Sequence, residues 1–389
     1  MATTKTQLLM KLGLLLLALA SQPSPSQQSQ AFFEIWLGQN SMQYGTPTMD
    51  TPSIAGDIVA ANATAVHAAV DPAGGGKQYR TIADALAAVP DANNTRRYVF
   101  RLKPGQVFRE KVAVGEGKRY VTFESDPANP AVVVWNNTAA TPGKDGKPLG
   151  AAGSAIVAIE ASNFIANGVV FKNDGPTGGK QGQTVALRVA EKRASFFNCT
   201  IEGGQGVLYD EMGTHYFRNC TINGGVDAIF GFGRSFYDDC RIDLQARPRR
   251  AHGASDKRPP SHTKQINSTW NGFAFHNCVI ETGGADDKVY LGRAWEDSSF
   301  VAYTYSKIAN EIVPIGYDDH GNIQKPPKGS GFYYGVYNCS GPGLDASKKM
   351  GWAEEIADSN VPFAYSYYAF VDGESWVVPR PADHIEIHM

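Results

Sequence analysis

The sequence predicts an all-β protein, a right-handed parallel β-helix with an N-terminal capping helix. Three observations carry this. A six-residue pattern recurs as FFNCTI from Phe196, FRNCTI from Phe217, YDDCRI from Tyr237 and FHNCVI from Phe275, and VYNCS follows from Val336. The steps between the hexamers are 21, 20 and 38 residues, the last near twice the others. The gaps are rich in glycine and asparagine and hold few apolar runs of helical length. A period of roughly 20 residues around one fixed, strand-like pattern means stacked coils.

The chain opens on an address. Lys5 and Lys11 flank a short basic region, and Leu12 to Ala20 is an apolar run ending in the small-residue pattern Ala18-Leu19-Ala20. This reads as a secretory signal peptide over residues 1–20. The run is well short of the ~20 apolar residues of a membrane span, and no later segment is long and apolar enough for one. Residues 21–65 are rich in Ser, Gln, Pro and Thr and read as a low-complexity leader. The main domain is expected over residues 66–380, with a tail at 381–389.

Tyr79 to Pro90 has apolar residues at helical spacing, with Thr81 placed to cap its start and Pro90 to stop it. This is the expected cap of the stack. A weaker relative of the hexamer, IANGVV, begins at Ile165. Each hexamer alternates aromatic and β-branched residues and reads as one short strand. In the stack the Phe/Tyr and Ile columns should fill the interior, and the Asn/Asp column should bond backbone at turns. Residues Arg247 to Ser268 and Gly321 to Gly331 are polar and read as exposed loops.

Five cysteines, Cys199, Cys220, Cys240, Cys278 and Cys339, share the repeat frame. Five is odd, so a full set of internal pairs is excluded. They read as small apolar filler rather than catalytic thiols, because no histidine shares their frame. Seven N-x-S/T sequons stand at Asn62, Asn93, Asn136, Asn198, Asn219, Asn267 and Asn338. They are candidate glycan sites in a secreted chain. Asn198 and Asn219 lie in apolar strand-like runs and are expected to be buried and bare. With 36 basic and 38 acidic residues the net charge is −2. No basic run or zinc-ligand spacing points to nucleic acid.

One charge stands out. The stretch GGVDAIFGFG, from Gly224, puts Asp227 among Val226, Ile229 and Phe230. Such walls would strip water from the carboxylate and make it a better nucleophile. Burial alone would raise its pKa and neutralise it, so a cation must hold it ionised. A structural Asp–Arg pair without turnover fits the same residues.

The motifs GQTVALRV from Gly182, GQGVLYDEMGTHYFRNC from Gly204, GGVDAIFGFGRSFYDDC from Gly224 and YLGRAW from Tyr290 resemble those of the plant pectinesterases, also called pectin methylesterases. LKPGQVFREKVAV from Leu102, the capping helix, YNCSGPG from Tyr337 and FVDGESW from Phe370 match as well. The likeness covers about residues 66–380. It implies a right-handed parallel β-helix and hydrolysis of the methyl esters of cell-wall homogalacturonan (pectin), with release of methanol. It implies no metal or organic cofactor, an extracellular place in the cell wall, a monomer, and a proteinaceous inhibitor among the partners. Nucleic acid and membrane are not among them. Many members carry an inhibitor-like pro-region, which the residues before position 66 are too few to hold.

By the same resemblance Asp227 is the nucleophile and Arg293, in LGRAW, the cation that holds it ionised. A guanidinium fork suits a carboxylate. Gln183 and Gln205 match two site glutamines, uncharged donors for the oxyanion. Trp295 matches an aromatic that lines the sugar groove. The chain departs where the family has Q-D-x-L-Y: here it reads Gln205-Gly206-Val207-Leu208-Tyr209. The missing aspartate is the family's general acid, and positioned proton transfer is worth ~10²–10⁴ in rate. Glu202 and Asp210 lie about 13 Å away along a strand, and Asp174 comes from an earlier coil. A water in the space left by Gly206 is a further source of the proton. Ala228, Phe232 and Tyr317 are milder departures, and a T-A-Q motif is not clear near Thr263 to Gln265. Two functions stay open: a secreted esterase slowed by Gly206, and an inactive relative that binds pectin. The G-H-G turn of polygalacturonases is absent, and no calcium cluster of the pectate lyase kind stands out.

Overall fold

Aromatic residues spaced by one coil stack face to face. Phe196, Phe217, Tyr237, Phe275 and Tyr303 form a column whose successive ring centroids are each 4.7 Å apart and nearly parallel. That spacing is the distance between hydrogen-bonded strands, so each ring sits on the equivalent ring of the coil before it. The computed structural model of the 389-residue chain describes residues 60–76, 78–91, 94–244, 272–282, 292–293, 298–308, 317–318, 331–341, 353–356 and 366–377.

Among these residues three parallel sheets line a cylinder. The first has eleven strands, from Val66–Val70 to Ala353–Glu355. The second has eight, from Val107–Phe108 to Lys307–Ile308, and the third has five, from Val112–Val114 to Ile229–Phe230. A coil runs from first sheet to second to third, as in Ala194–Phe197, Thr200–Glu202 and Leu208–Asp210. Every pairing is parallel, and the coils wind right-handed, as such connections do. Burying every coil's inner face against its neighbours gives one continuous core running the length of the stack.

The hexamer is a corner rather than one strand. In FFNCTI, Phe196 and Phe197 end a strand of the first sheet, and Thr200 and Ile201 begin one of the second. Asn198 makes the turn with φ of +51°, a left-handed conformation that asparagine tolerates better than most residues. The same turn recurs at Gly168, Asn219, Asp239, Asn277, Tyr305 and Asn338. Each of these corners is only one or two residues long. Backbone N–H groups at Asn198, Asn219, Asp239, Asn277 and Tyr305 donate to carbonyls of the next coil. Side chains pair along the column, Asn198 Nδ2 to Asn167 Oδ1 at 2.9 Å and Asn277 Nδ2 to Asp239 Oδ1 at 2.7 Å. Asn198 and Asn219 are therefore exposed, against the expectation that they are buried. The alternation seen in the sequence breaks at the turn, which throws the asparagine outward.

The cysteines follow the turn residues and point inward. Cys199, Cys220, Cys240 and Cys278 are buried, Cys339 is half-buried, and all five are free thiols. Registers place Ser306 in the same column, between Cys278 and Cys339. Burial holds the thiols of Cys199, Cys220 and Cys240 well above their ordinary pKa. A protonated, enclosed thiol is a poor nucleophile, consistent with filler.

The capping helix runs from Ile82 to Ala87. Thr81 caps it by accepting from Asp84 N–H at 3.0 Å, and Glu110, from the next coil, accepts from Ile82 and Ala83 N–H at 2.9 and 3.1 Å. Its buried face, Ile82, Ala85 and Leu86, closes the core at one end. Ala61 is already packed, and Asn62 Oδ1 accepts from the buried Arg97. Burial pulls the Arg97 pKa down to about 10. A short helix, Tyr367–Val371, covers the outer face of the first sheet, where Arg234 donates to the carbonyls of Phe370 and Ala369. None of the described helices is long and apolar enough to cross a membrane.

Candidate active site

The corners between the second and third sheets carry the predicted site. Strand pairing aligns Leu208 with Ile229 and Tyr209 with Phe230. Two residues earlier, that register sets Gly206 beside Asp227 in adjacent coils. Gly206 N–H donates to Val226 O at 3.0 Å, which ties the two corners together. Both residues are left-handed, with φ of +61° at Gly206 and +52° at Asp227. Asp227 is half-buried at the entry to the strand Ile229–Phe230.

Gln183 and Gln205 gather at the same point. Gln205 is the chain neighbour of Gly206. A Cβ placed on Gly206 would stand 3.0 Å from Gln183 Cγ and 3.0 Å from Phe230 Cε1. Both glutamine backbones are fixed: Ala139 N–H donates to Gln183 O, and Thr184 N–H to Gln205 O, each at 2.8 Å. The loop of residues 136–150 thereby braces Gln183 from one side. The side chains of both glutamines are half-buried. The backbones of Asp227, Gly206 and Gln205 and the side chain of Gln183 thus meet at one corner.

The walls differ from the sequence reading in two respects. Val226, expected to shield Asp227, is 58% exposed and faces solvent. Phe230 instead stacks on Tyr209, with centroids 4.4 Å apart and planes 6° from parallel. This pair, one coil apart on the outer face of the third sheet, is a flat apolar surface that the motif reading passed over. The signal was in the sequence: each aromatic lies three residues after its corner residue, Gly206 or Asp227. Burial first, then the nearby Glu211, pushes the Tyr209 pKa up to about 12.

Next in the column is Arg188, which bonds Glu160 Oε1 at 2.5 Å and also Glu211. Burial works against its charge, but the two carboxylates outweigh that and raise its pKa. Arg188, Glu116, Glu160, Glu191 and Met212 line a cavity of about 300 Å³ at the far ends of these strands.

The three carboxylates weighed as substitutes for the missing acid are all engaged. Glu202 is paired with Lys172 at 2.5 Å. Asp174 is exposed and forks onto Arg109 at 2.8 and 3.3 Å, which raises the Arg109 pKa. Asp210 points into the core, fully buried. Its carboxylate meets His215 Nδ1 at 2.6 Å and accepts from Tyr237 OH at 2.7 Å, while His215 Nε2 donates to Glu191 O at 2.8 Å. Gln183 and Phe230 crowd the space beside Gly206, where an added Cβ would stand 3.0 Å from each.

Gly292–Arg293 pairs in parallel with Tyr317–Asp318, which places the Arg293 backbone on a later coil. The Arg293 side chain and the whole of Trp295 lie outside the described residues. Among the described residues no cluster of three or more His, Cys, Asp or Glu side chains is arranged to hold a metal.

Comparison with known proteins agrees with this fold. The pectinesterase family profile matches residues 67–374. The pectinesterase QRT1 of Arabidopsis thaliana is 36% identical over 313 residues, covering 79% of this chain and 78% of that protein. Putative pectinesterase 11 of the same plant is 31% identical over 320 residues, covering 82% and 83%. Among solved structures, the pectin methylesterase from carrot superposes with a TM-score of 0.65 at 27% identity, over 80% of this chain and 94% of that one. The pectin methylesterase from Aspergillus niger, at 23% identity and a TM-score of 0.62 over 79% and 94%, shares the fold. The stacked coils, the corner that gathers Asp227 with two glutamines, and these matches together make the chain a member of the pectinesterase family of carboxylic ester hydrolases.

Proposed function

We propose that the protein hydrolyses the methyl esters of cell-wall homogalacturonan, giving pectate and methanol, with Asp227 as nucleophile. The observation that carries this is the meeting of Asp227, Gln183 and Gln205 around one corner beside a flat aromatic pair. The Asp227 carboxylate attacks the ester carbonyl, and the electron pair of the C=O moves onto oxygen. The amides of Gln183 and Gln205 donate to that oxyanion without bringing a charge that would compete for Asp227. Collapse expels the methoxy group, which takes a proton and leaves as methanol. An acyl-enzyme anhydride remains. Water cleaves it, returning Asp227 and a free uronate. Arg293 keeps Asp227 ionised between turnovers, and Trp295 with Tyr209 and Phe230 supports sugar faces.

The proton for methanol comes from solvent, because position 206 offers none. Turnover is accordingly slow. Residues 1–20 route the chain to the cell wall, where it works as a glycosylated monomer without a metal or organic cofactor, and where a proteinaceous inhibitor finds its target. A second reading, a pectin-binding protein without turnover, is favoured by one observation: position 206, beside Asp227 in the next coil, carries no side chain to donate a proton. Methanol release from highly methylated pectin separates the two. The esterase reading expects release that Asp227→Asn abolishes. A wild-type rate equal to that of the Asn variant would favour the binder.

A further inference from the structure

The fold sorts the seven sequons. Asn62 is half-buried and its Oδ1 is held at 2.5 Å by the buried Arg97. Asn136 is exposed, but it opens the loop that braces Gln183, and its sequon Thr138 is only 2% exposed. Asn93 and Asn267 lie outside the described residues. Asn198, Asn219 and Asn338 stand exposed on the short left-handed corner between the first and second sheets. The site corner, with Gly206 and Asp227, lies between the second and third sheets. An attachment at Asn198 or Asn219 therefore projects away from the substrate face.

Those two asparagines differ in one respect. Asn198 Nδ2 donates to Asn167 Oδ1 at 2.9 Å. The Asn219 side-chain amide has no hydrogen-bond partner among the described residues. The N-C-T frame also presents the two sequons alike, with each cysteine in the core and Thr200 and Thr221 half-buried on the outer face. Their corners are one coil apart, about 4.8 Å, which is close to the width of a single pyranose ring.

We propose that Asn219 carries an N-linked oligosaccharide and that Asn198 of the same molecule does not. The free amide of Asn219 can be glycosylated without breaking a native bond. A second oligosaccharide rooted one coil below would occupy the same space. The inference rests on the secretory reading of the N-terminus, so the test supplies the route independently.

The full chain is expressed behind a foreign secretory leader in a eukaryotic host. Peptide N-glycosidase in ¹⁸O-water then marks each occupied asparagine, and intact mass counts oligosaccharides per molecule. The expected result is a mark at Asn219, none at Asn198, and loss of the Asn219 mark in both Asn219→Gln and Thr221→Ala. Methanol release by the two variants should equal that of the unaltered protein. An unmarked Asn219, or molecules occupied at both positions, would overturn the proposal. A marked Asn219 on a chain that releases no methanol upholds the site and defeats the esterase reading instead.

Discussion

Supplying a carboxyl group at position 206 is the sharpest test of the proposed reaction. Gly206→Asp puts a carboxyl group one coil from Asp227. The backbone there is left-handed, with φ of +61°, which costs a side chain about 1 kcal/mol. Asp227 itself holds an aspartate at +52° one coil on, so the conformation suits this residue. The new Cβ would stand 3.0 Å from Gln183 Cγ and Phe230 Cε1, and both half-buried side chains must yield by a few tenths of an ångström. With that crowding the stability loss is roughly 1–3 kcal/mol, a few degrees in Tm. The gain lies in kcat. Two carboxylates this close do not ionise together, so one keeps its proton at working pH. A placed proton donor to departing methanol is worth ~10²–10⁴, roughly 3–5 kcal/mol of barrier. Crowding and imperfect aim reduce this, leaving an expected rise of at least tenfold. The assay is the initial rate of methanol release on highly methylated pectin, with Gly206→Asn as the control of equal shape and no acid. Equal rates for the Asp and Asn variants, both folded by circular dichroism, would refute the argument from proton supply.

Two further outcomes concern stability. Asp238, beneath the Tyr367–Val371 helix, has its pKa raised to about 6, first by burial and then by Asp239, against the Tyr216 hydroxyl and Arg218; His276 is its register partner on the next strand. An acid whose folded pKa exceeds its unfolded 3.8 binds more protons when folded, so stability is highest below that value and falls as pH rises to about 6. Thermal melts should show this decline, on the order of 2–3 kcal/mol in all, and Asp238→Asn should flatten it; an unchanged slope would contradict the assignment. Phe217→Ala removes the second ring of the five-ring column and should cost roughly 3–5 kcal/mol in denaturant unfolding, whereas a loss below about 1 kcal/mol would mean the core collapses around the gap.

The period of the hexamers was enough to give the coil, because equivalent side chains must stack and only a near-constant repeat lets them. Phe217 and Ile222 were legible as interior for that reason. The corner was not. A single left-handed residue reverses the in–out alternation of a strand, and nothing in the letters FRNCTI marks where the reversal falls. Asn219 was therefore placed inside and Val226 was made a wall. Asp210 was weighed as a substitute proton donor, yet it takes the interior position that Val189 holds one coil earlier, and His215 and Tyr237 satisfy it there. His215 lies only five residues on, but Tyr237 is 27 residues away, and nothing in the local letters shows that the fold brings both to Asp210. The grouping of Gln183, Gln205 and Asp227 followed from motif order, but the crowding of Phe230 beside Gly206 depended on side-chain volumes that only packing reveals.

The corner of one or two residues between the first and second sheets has a consequence for how such chains can diversify. A turn so tight accepts no insertion without unthreading the stack on both sides of it. Between Leu244 and Gly272, by contrast, 27 residues intervene, and Arg241 still faces Val279 across the second sheet. Lineages can thus lengthen the segments that leave the second and third sheets while the opposite spine keeps every rung at the same height.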